Sequence, residues 1–135
     1  MEPLPPELEA LARFHGHLGP YVVVGYRMGA VAHREFGGYK GLTAEVACVT
    51  KPPMLCVVDG VQFSSQCTLG KGNIAVKEGP TPVAVFRKEG REITIRLPES
   101  LRDRIDREMS KENEVEQSLF FFRMPEAELL EIAER

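Results

Sequence analysis

Pro82-Val83-Ala84-Val85-Phe86-Arg87, Lys88-Glu89-Gly90-Arg91 and Glu92-Ile93-Thr94-Ile95-Arg96-Leu97 follow one another without a break. The outer runs alternate apolar and polar or small residues, and the charged connection between them holds Gly90, so the stretch reads as a β-hairpin. Directly after it, Pro98 suits the first turn of a helix, in which Leu101, Ile105 and Met109 recur at spacing four as a narrow apolar stripe. Val115 to Phe122 and Pro125 to Glu134 read as further helices. Upstream, Ile74 to Val76 is a short strand. Strands followed by helices predict an α+β fold with a mixed, largely antiparallel sheet flanked by N-terminal and C-terminal helices, rather than a doubly wound α/β one.

The N-terminal half supplies the other flank. Pro5 and Pro6 open a first helix with Leu8, Leu11 and Ala12 at helical spacing, ending near His15-Gly16. Pro20 opens a second, running to Phe36, where Gly37-Gly38 stops it. Gly25 and Gly29 lie four apart on that helix and predict close packing against the sheet or a partner helix; Arg27 and His33 read as surface groups. Thr43 to Thr50 alternates with Leu42, Ala44, Val46 and Cys48 on the core face of a strand. Leu55 to Gln66 fits either a strand or a helix.

With 135 residues, 43% hydrophobic and 27% charged, the chain is sized and composed as one folded domain over residues 1–135. Seventeen Lys plus Arg against 20 Asp plus Glu give a formal charge of −3, which offers no long-range pull toward nucleic acid or anionic lipid. No run approaches the roughly 20 apolar residues of a membrane span, and Met1-Glu2-Pro3-Leu4-Pro5-Pro6 lacks the basic and apolar regions of a signal peptide. A cytoplasmic location is the expectation. Three cysteines, an odd count, then point to reduced thiols serving as core filler, nucleophile or metal ligand.

Two segments could carry chemistry. His15-Gly16-His17 places imidazoles at i and i+2, which on a helix would diverge by about 200°. They point the same way from an extended loop, which Gly16 and Pro20 permit while Leu18 tucks inward; as an isolated pair they are either surface groups or metal ligands. If Leu55 to Gln66 is helical, Cys56, Asp59, Gln62 or Phe63, and Gln66 share one face, with Val57, Val58 and Val61 toward the core. That polar line either lines a cleft or is a solvated face. Cys67 stands at the end of this element, and its spacing from Cys56, with no C-x-x-C, excludes a closed zinc finger while leaving a convergent open site. Thiolates with imidazoles suit zinc and tolerate iron, nickel or copper. Gly70-Lys71-Gly72-Asn73 fails as a phosphate loop, because Ser65 and Gly72 stand where Gly and Ser or Thr are needed. Lys71 either favours a nearby thiolate, binds an anionic ligand, or is a solvated turn residue. Phe120, Phe121 and Phe122 cannot share one core face, so one is expected at a subunit interface, as in a homodimer.

Phe14-His15-Gly16-His17-Leu18-Gly19-Pro20 with Gly25-Tyr26-Arg27-Met28-Gly29, and Cys56-Val57-Val58-Asp59-Gly60-Val61-Gln62 leading to Cys67-Thr68-Leu69-Gly70-Lys71-Gly72-Asn73, resemble the two signatures of the formylmethanofuran dehydrogenase FmdE family, in family order. The resemblance covers roughly residues 10 to 90. It implies a dimeric α+β domain with a metal-binding cleft where the motifs meet, His15, His17, Cys56 and Cys67 as ligands, and Asp59, Gln62 and Lys71 behind them or against a small molecule. The chain departs from the family pattern at Gly19, where a Cys usually follows His-Gly-His-Leu, and it lacks the cysteine-rich C-terminal zinc module that some members append.

Three functions follow as expectations. The first is a metal-binding accessory domain, holding zinc, or iron or nickel, in support of a molybdenum- or tungsten-dependent system, with oxidoreductase subunits or a small anionic ligand as partners. The second is an enzyme with an open coordination position, Asp59 as general base and Lys71 against an anion, with Gln62, Gly70, Gly72 and Asn73 contacting the ligand. The third is a redox protein in which Cys56 and Cys67 pair.

Overall fold

The computed structural model describes residues 3–135; Met1 and Glu2, on which the N-terminal reading partly rests, lie outside the described residues. Helices α1 (Pro6–His15) and α2 (Pro20–Phe36) lead into strand β1 (Thr43–Cys48), and helix α3 (Val57–Ser65) into β2 (Ile74–Glu78). The hairpin β3 (Val83–Lys88) and β4 (Arg91–Arg96) follows, then α4 (Glu99–Glu108), α5 (Glu114–Arg123), the single turn α6 (Glu126–Leu129) and β5 (Glu131–Glu134). The sheet runs β2-β1-β3-β4-β5, with β1 and β2 parallel and every other pair antiparallel. This is the α+β architecture and the mixed, largely antiparallel sheet that the element order predicts.

Period-2 alternation builds one face of the core. Ala44, Val46 and Cys48 on β1, Ala84 and Phe86 on β3, and Ile93 and Ile95 on β4 are all buried, as is Leu42 just before β1. The helices cover this face with Leu8, Leu11, Val23, Val24, Met28, Ile105 and Phe121. β2 is an exposed edge, and its charged Lys77 and Glu78 are the kind of residue that discourages a second sheet from pairing there.

Leu55 to Gln66 resolves as a helix preceded by a short 3-10 turn at Met54–Cys56. It connects two parallel neighbouring strands, a link that requires a crossover and most often uses a helix. The crossover lies tight against α2. A Cβ on Gly25 would collide with the carbonyl of Val57, and one on Gly60 with the backbone of Val22 and Tyr26. Gly29 stands equally close to Ser64. The paired glycines thus let two backbones touch, and the partner of the Gly25/Gly29 face is α3.

The C-terminal segment differs from expectation. Pro125 to Glu134 is not one helix: α6 ends at Leu129, and residues 131–134 add β5 to the free edge of β4. Helix-forming Glu and Ala are overridden because β4 offers unpaired backbone groups, and Arg91 on β4 clamps Glu134 with two contacts of 2.7 and 3.0 Å. Of the three phenylalanines, Phe121 is fully buried, Phe122 half-buried against Tyr26, and Phe120 exposed.

Because α2 and α3 meet backbone to backbone, Gly60→Ala is expected to destabilise the protein by about 1–3 kcal/mol or more. Gly70→Ala, with nothing within 4 Å of the added methyl, should stay within about 0.5 kcal/mol of wild type. Urea unfolding of both variants, comparing midpoints at constant slope, checks this.

Candidate functional site

The contact between α2 and α3 brings the start of α3 beside the end of α1. His15 is the last residue of α1, and Gly16, at φ 106°, makes the left-handed turn that caps it, its N–H bonded to the Ala12 carbonyl at 2.7 Å. The two imidazoles therefore converge through a helix cap rather than through extended backbone, their ring centroids 4.8 Å apart. Leu18 is buried, as expected, and anchors the turn.

In both rings Nδ1 is engaged. His15 Nδ1 donates to Asp59 Oδ2 at 2.6 Å, and the other Asp59 oxygen accepts from Gln62 Nε2 at 3.3 Å. His17 Nδ1 lies 2.8 Å from the Leu18 carbonyl. A ring that donates from Nδ1 in its neutral form carries its lone pair on Nε2. The His15 side chain is only 10% exposed, and its Nε2 is buried with no hydrogen-bond partner. Leaving such an atom unsatisfied costs about 1–3 kcal/mol, so it calls for a ligand.

His15, His17 and Cys56 line one small cavity, together with Gly19, Tyr21, Met109 and Glu114. Its volume is about 40 Å³, comparable to the roughly 30 Å³ share of one liquid water. Cys56 stands just before α3, half-buried, and burial first, with the Asp59 carboxylate second, pushes its thiol up. Tyr21 OH donates to Asp106 at 2.5 Å; burial and that carboxylate hold the phenol protonated. As they stand, no three or more His, Cys, Asp or Glu side chains among the described residues converge to hold a metal.

Cys67 is not brought to this cavity. It is fully buried beyond the other end of α3, its Sγ 3.7 Å from the Leu42 carbonyl. Burial raises its thiol, against smaller lowering by Ser65 and Lys71. The nine residues of α3 extend about 14 Å, while disulfide-bonded Cα atoms lie within about 7 Å. Cys56 and Cys67 are therefore not a redox pair in this fold, a correction to that expectation.

Gln62, Gly70, Lys71, Gly72 and Asn73 serve the loop after α3 instead of lining the cavity. Gln62 Oε1 accepts from the Leu69 N–H at 2.9 Å, and Asn73 Oδ1 from the Thr68 N–H at 2.8 Å. The Lys71 and Gly72 amides bond back to Thr68 and Leu69, so these groups are unavailable as an anion cradle. The Lys71 ammonium lies over the Tyr39 ring, 4.8 Å from its centroid. Asp59 is equally committed, as the carboxylate that orients His15.

Two residues escaped the sequence reading. Glu114, opening α5, lines the cavity with Oε2 3.6 Å from His17 Nδ1; nothing local in the sequence announces a contact across most of the chain. Arg27, expected at the surface, is half-buried and donates to the carbonyls of Phe121 and Phe122 at 2.8 and 2.9 Å, capping α5, while desolvation lowers its pKa. Its place between Tyr26 and Met28 on a packed helix was the available signal.

The family profile described as FmdE, molybdenum formylmethanofuran dehydrogenase operon, matches residues 14–134. The chain belongs to the FmdE family. Membership relates it to the formylmethanofuran dehydrogenase system that the family description names. The crystal structure of a tungsten formylmethanofuran dehydrogenase FmdE-like protein from Syntrophus aciditrophicus aligns with a TM-score of 0.62 at 20% identity, over 95% of this chain and 69% of that one, and so shares its fold. A probable S-adenosyl-L-methionine-binding protein of Archaeoglobus fulgidus is 30% identical over 80 residues, 56% of this chain but 22% of that much longer protein. Among the described residues of this FmdE domain, no helix is long and apolar enough to cross a membrane.

Thiol chemistry checks the placement of the cysteines. Burial raises all three thiols, Cys48 to about 11, so little thiolate forms at neutral pH and modification should speed up as pH rises. Cys48 and Cys67 are fully buried, so native protein stripped of any metal is expected to expose only Cys56 to a thiol reagent, and denatured protein all three. Mild oxidation should yield no Cys56–Cys67 disulfide by peptide mapping.

Proposed function

We propose that this FmdE domain holds one divalent transition metal at His15, His17 and Cys56, as an accessory to a molybdenum- or tungsten-dependent formylmethanofuran dehydrogenase system. Zinc suits the nitrogen and sulfur donors first, with iron or nickel as alternatives. The observation that supports this reading is His15: Nδ1 clamped by a carboxylate and Nε2 buried, unpartnered and lining a cavity shared with a thiol and a second imidazole. A carboxylate behind a histidine is the usual outer support of a metal-bound imidazole, fixing its tautomer and raising its basicity. His17 repeats the arrangement with the Leu18 carbonyl in the carboxylate's place.

His15, His17 and Cys56 share one cavity and are nitrogen and sulfur donors of the kind zinc takes, and as they stand they do not converge on one point, so binding would draw them together. Cys67 is the misfit, since its sulfur is packed in the core. A bound metal would supply a Lewis-acid centre; the chain's own contribution is to orient two imidazoles. A space of about 40 Å³ has room for an ion with a water. The catalytic alternative has weaker support, because Asp59 is engaged with His15 and Lys71 lies over Tyr39.

Homodimerisation is proposed alongside, supported by Val115 and Phe120, which stand exposed on one apolar groove of α5 and α6. Sedimentation of wild type as a dimer and of Phe120→Glu as a monomer is the expected result.

Elemental analysis of untagged protein is expected to find about one equivalent of transition metal per chain. His15→Ala should lose it, Asp59→Asn should bind about 10–100-fold more weakly, and Cys67→Ser should keep it while losing about 1–3 kcal/mol of stability to a buried hydroxyl. Metal retained in folded His15→Ala would sink the assignment.

A further inference from the structure

We propose that Gln62 is a positioning residue through which the exposed loop after α3 sets the tautomer and orientation of His15. This deepens the reading of the site, and rests on it only in taking His15 as the functional group. Three hydrogen bonds run in series from the loop to the ring. The Leu69 N–H donates to Gln62 Oε1 at 2.9 Å, Gln62 Nε2 donates to Asp59 Oδ1 at 3.3 Å, and His15 Nδ1 donates to Asp59 Oδ2 at 2.6 Å. On the far side of the ring lies Nε2, buried and unpartnered.

A Gln and an Asp three apart on one helix can pair with no wider effect. Here the pair is locked from outside the helix. A side-chain amide has one accepting end and one donating end. The Leu69 N–H occupies the accepting end of Gln62, so the NH2 is the end left for the carboxylate. Asp59 needs that hold, because its side chain is 40% exposed and burial does not fix it. Held at Oδ1, it presents Oδ2 to the imidazole, and an acceptor on Nδ1 keeps the proton there and the lone pair on Nε2.

The outer end of the series is little held by burial. Leu69 opens the 3-10 turn Leu69–Lys71 with its side chain 81% exposed, and Gly70, Lys71 and Gly72 are exposed beside it. Asn73 ties the base of the loop to Thr68 and to the Leu42 carbonyl, whereas Gln62 ties its tip to the face of α3 that carries Asp59. A contact that draws the Leu69 N–H away from Gln62 therefore loosens Asp59 and, through it, the ring. The coupling is reciprocal, so whatever fixes the ring also steadies the loop.

Imidazole nitrogen NMR on metal-free full-length protein, in buffer alkaline enough to keep the rings neutral, tests the inference. Wild-type His15 is expected to carry its proton on Nδ1. Leu69→Pro removes the outermost donor and suits the backbone, since Leu69 is the first residue of its turn and Thr68 before it is extended at φ −130° and ψ 157°. Leu69→Pro and Gln62→Met should each move the His15 tautomer ratio toward Nε2–H by about 2–10-fold, the scale of one net hydrogen bond. Leu69→Ala keeps the N–H and should leave the ratio unchanged. In the opposite direction, Asp59→Ala should speed hydrogen exchange of the Leu69 amide by about 2–10-fold. Circular dichroism confirms that the variants are folded. If Leu69→Pro and Gln62→Met lower the urea midpoint without moving the ratio, Gln62 serves architecture alone and the inference fails. It fails equally if Leu69→Ala acts like Leu69→Pro, or if wild-type His15 carries its proton on Nε2. The metal content of wild type decides the metal-binding reading separately, so either can fall while the other stands.

Discussion

The backbone-to-backbone approach of α2 and α3 is the constraint on which the rest of the site depends. Gly25, Gly29 and Gly60 remove the side chains that would hold the two helices apart by the usual interaxial distance. With α3 drawn in, its first turn reaches the end of α1, and Asp59 meets His15 across 44 residues of sequence. Were the helices one methyl group further apart, the 2.6 Å contact would be lost, and with it the orientation of the imidazole.

From that contact follows the chemical character of the cavity. One nitrogen of His15 is held by a carboxylate, and the other is left buried and unsatisfied, a state that a folded domain tolerates only at a cost in stability. Natural proteins concentrate such local costs at functional positions. The rest of the domain is conventional by comparison: an alternating sheet covered on one face by helices, edge charges on β2, and helix termini closed by Gly16, Gly37 and the guanidinium of Arg27.

Polar residues near one another in sequence proved to have different duties. Gln62 ties Leu69 of the loop after α3 to Asp59 on the helix, Asn73 ties Thr68 of that loop to the Leu42 carbonyl, and the loop's glycines permit its turns, so a segment rich in ligand-like residues is spent on architecture. Helix α3 separates Cys56 from Cys67, placing one thiol at the cavity and the other in the core beneath Leu42. The shared residue type says nothing about which end of a helix faces which neighbour.

By itself the sequence determined the two N-terminal helices, the α+β class, the alternating core face of β1 and the pairing of β3 with β4, because each of these follows from local periodicity and turn chemistry. It also marked His15, His17, Cys56 and Cys67, through a resemblance borne by two motifs, and of these Cys67 lies away from the cavity. Only the tertiary structure decided that Leu55 to Gln66 is a helix, since a short apolar run fits both periods until the parallel strands around it demand a crossover. The same holds for β5, which forms because β4 has an open edge, and for Asp59, Arg27 and Glu114, whose partners lie 44 or more residues away. Such contacts are set by the packing of whole elements, and no window of sequence contains both of their ends.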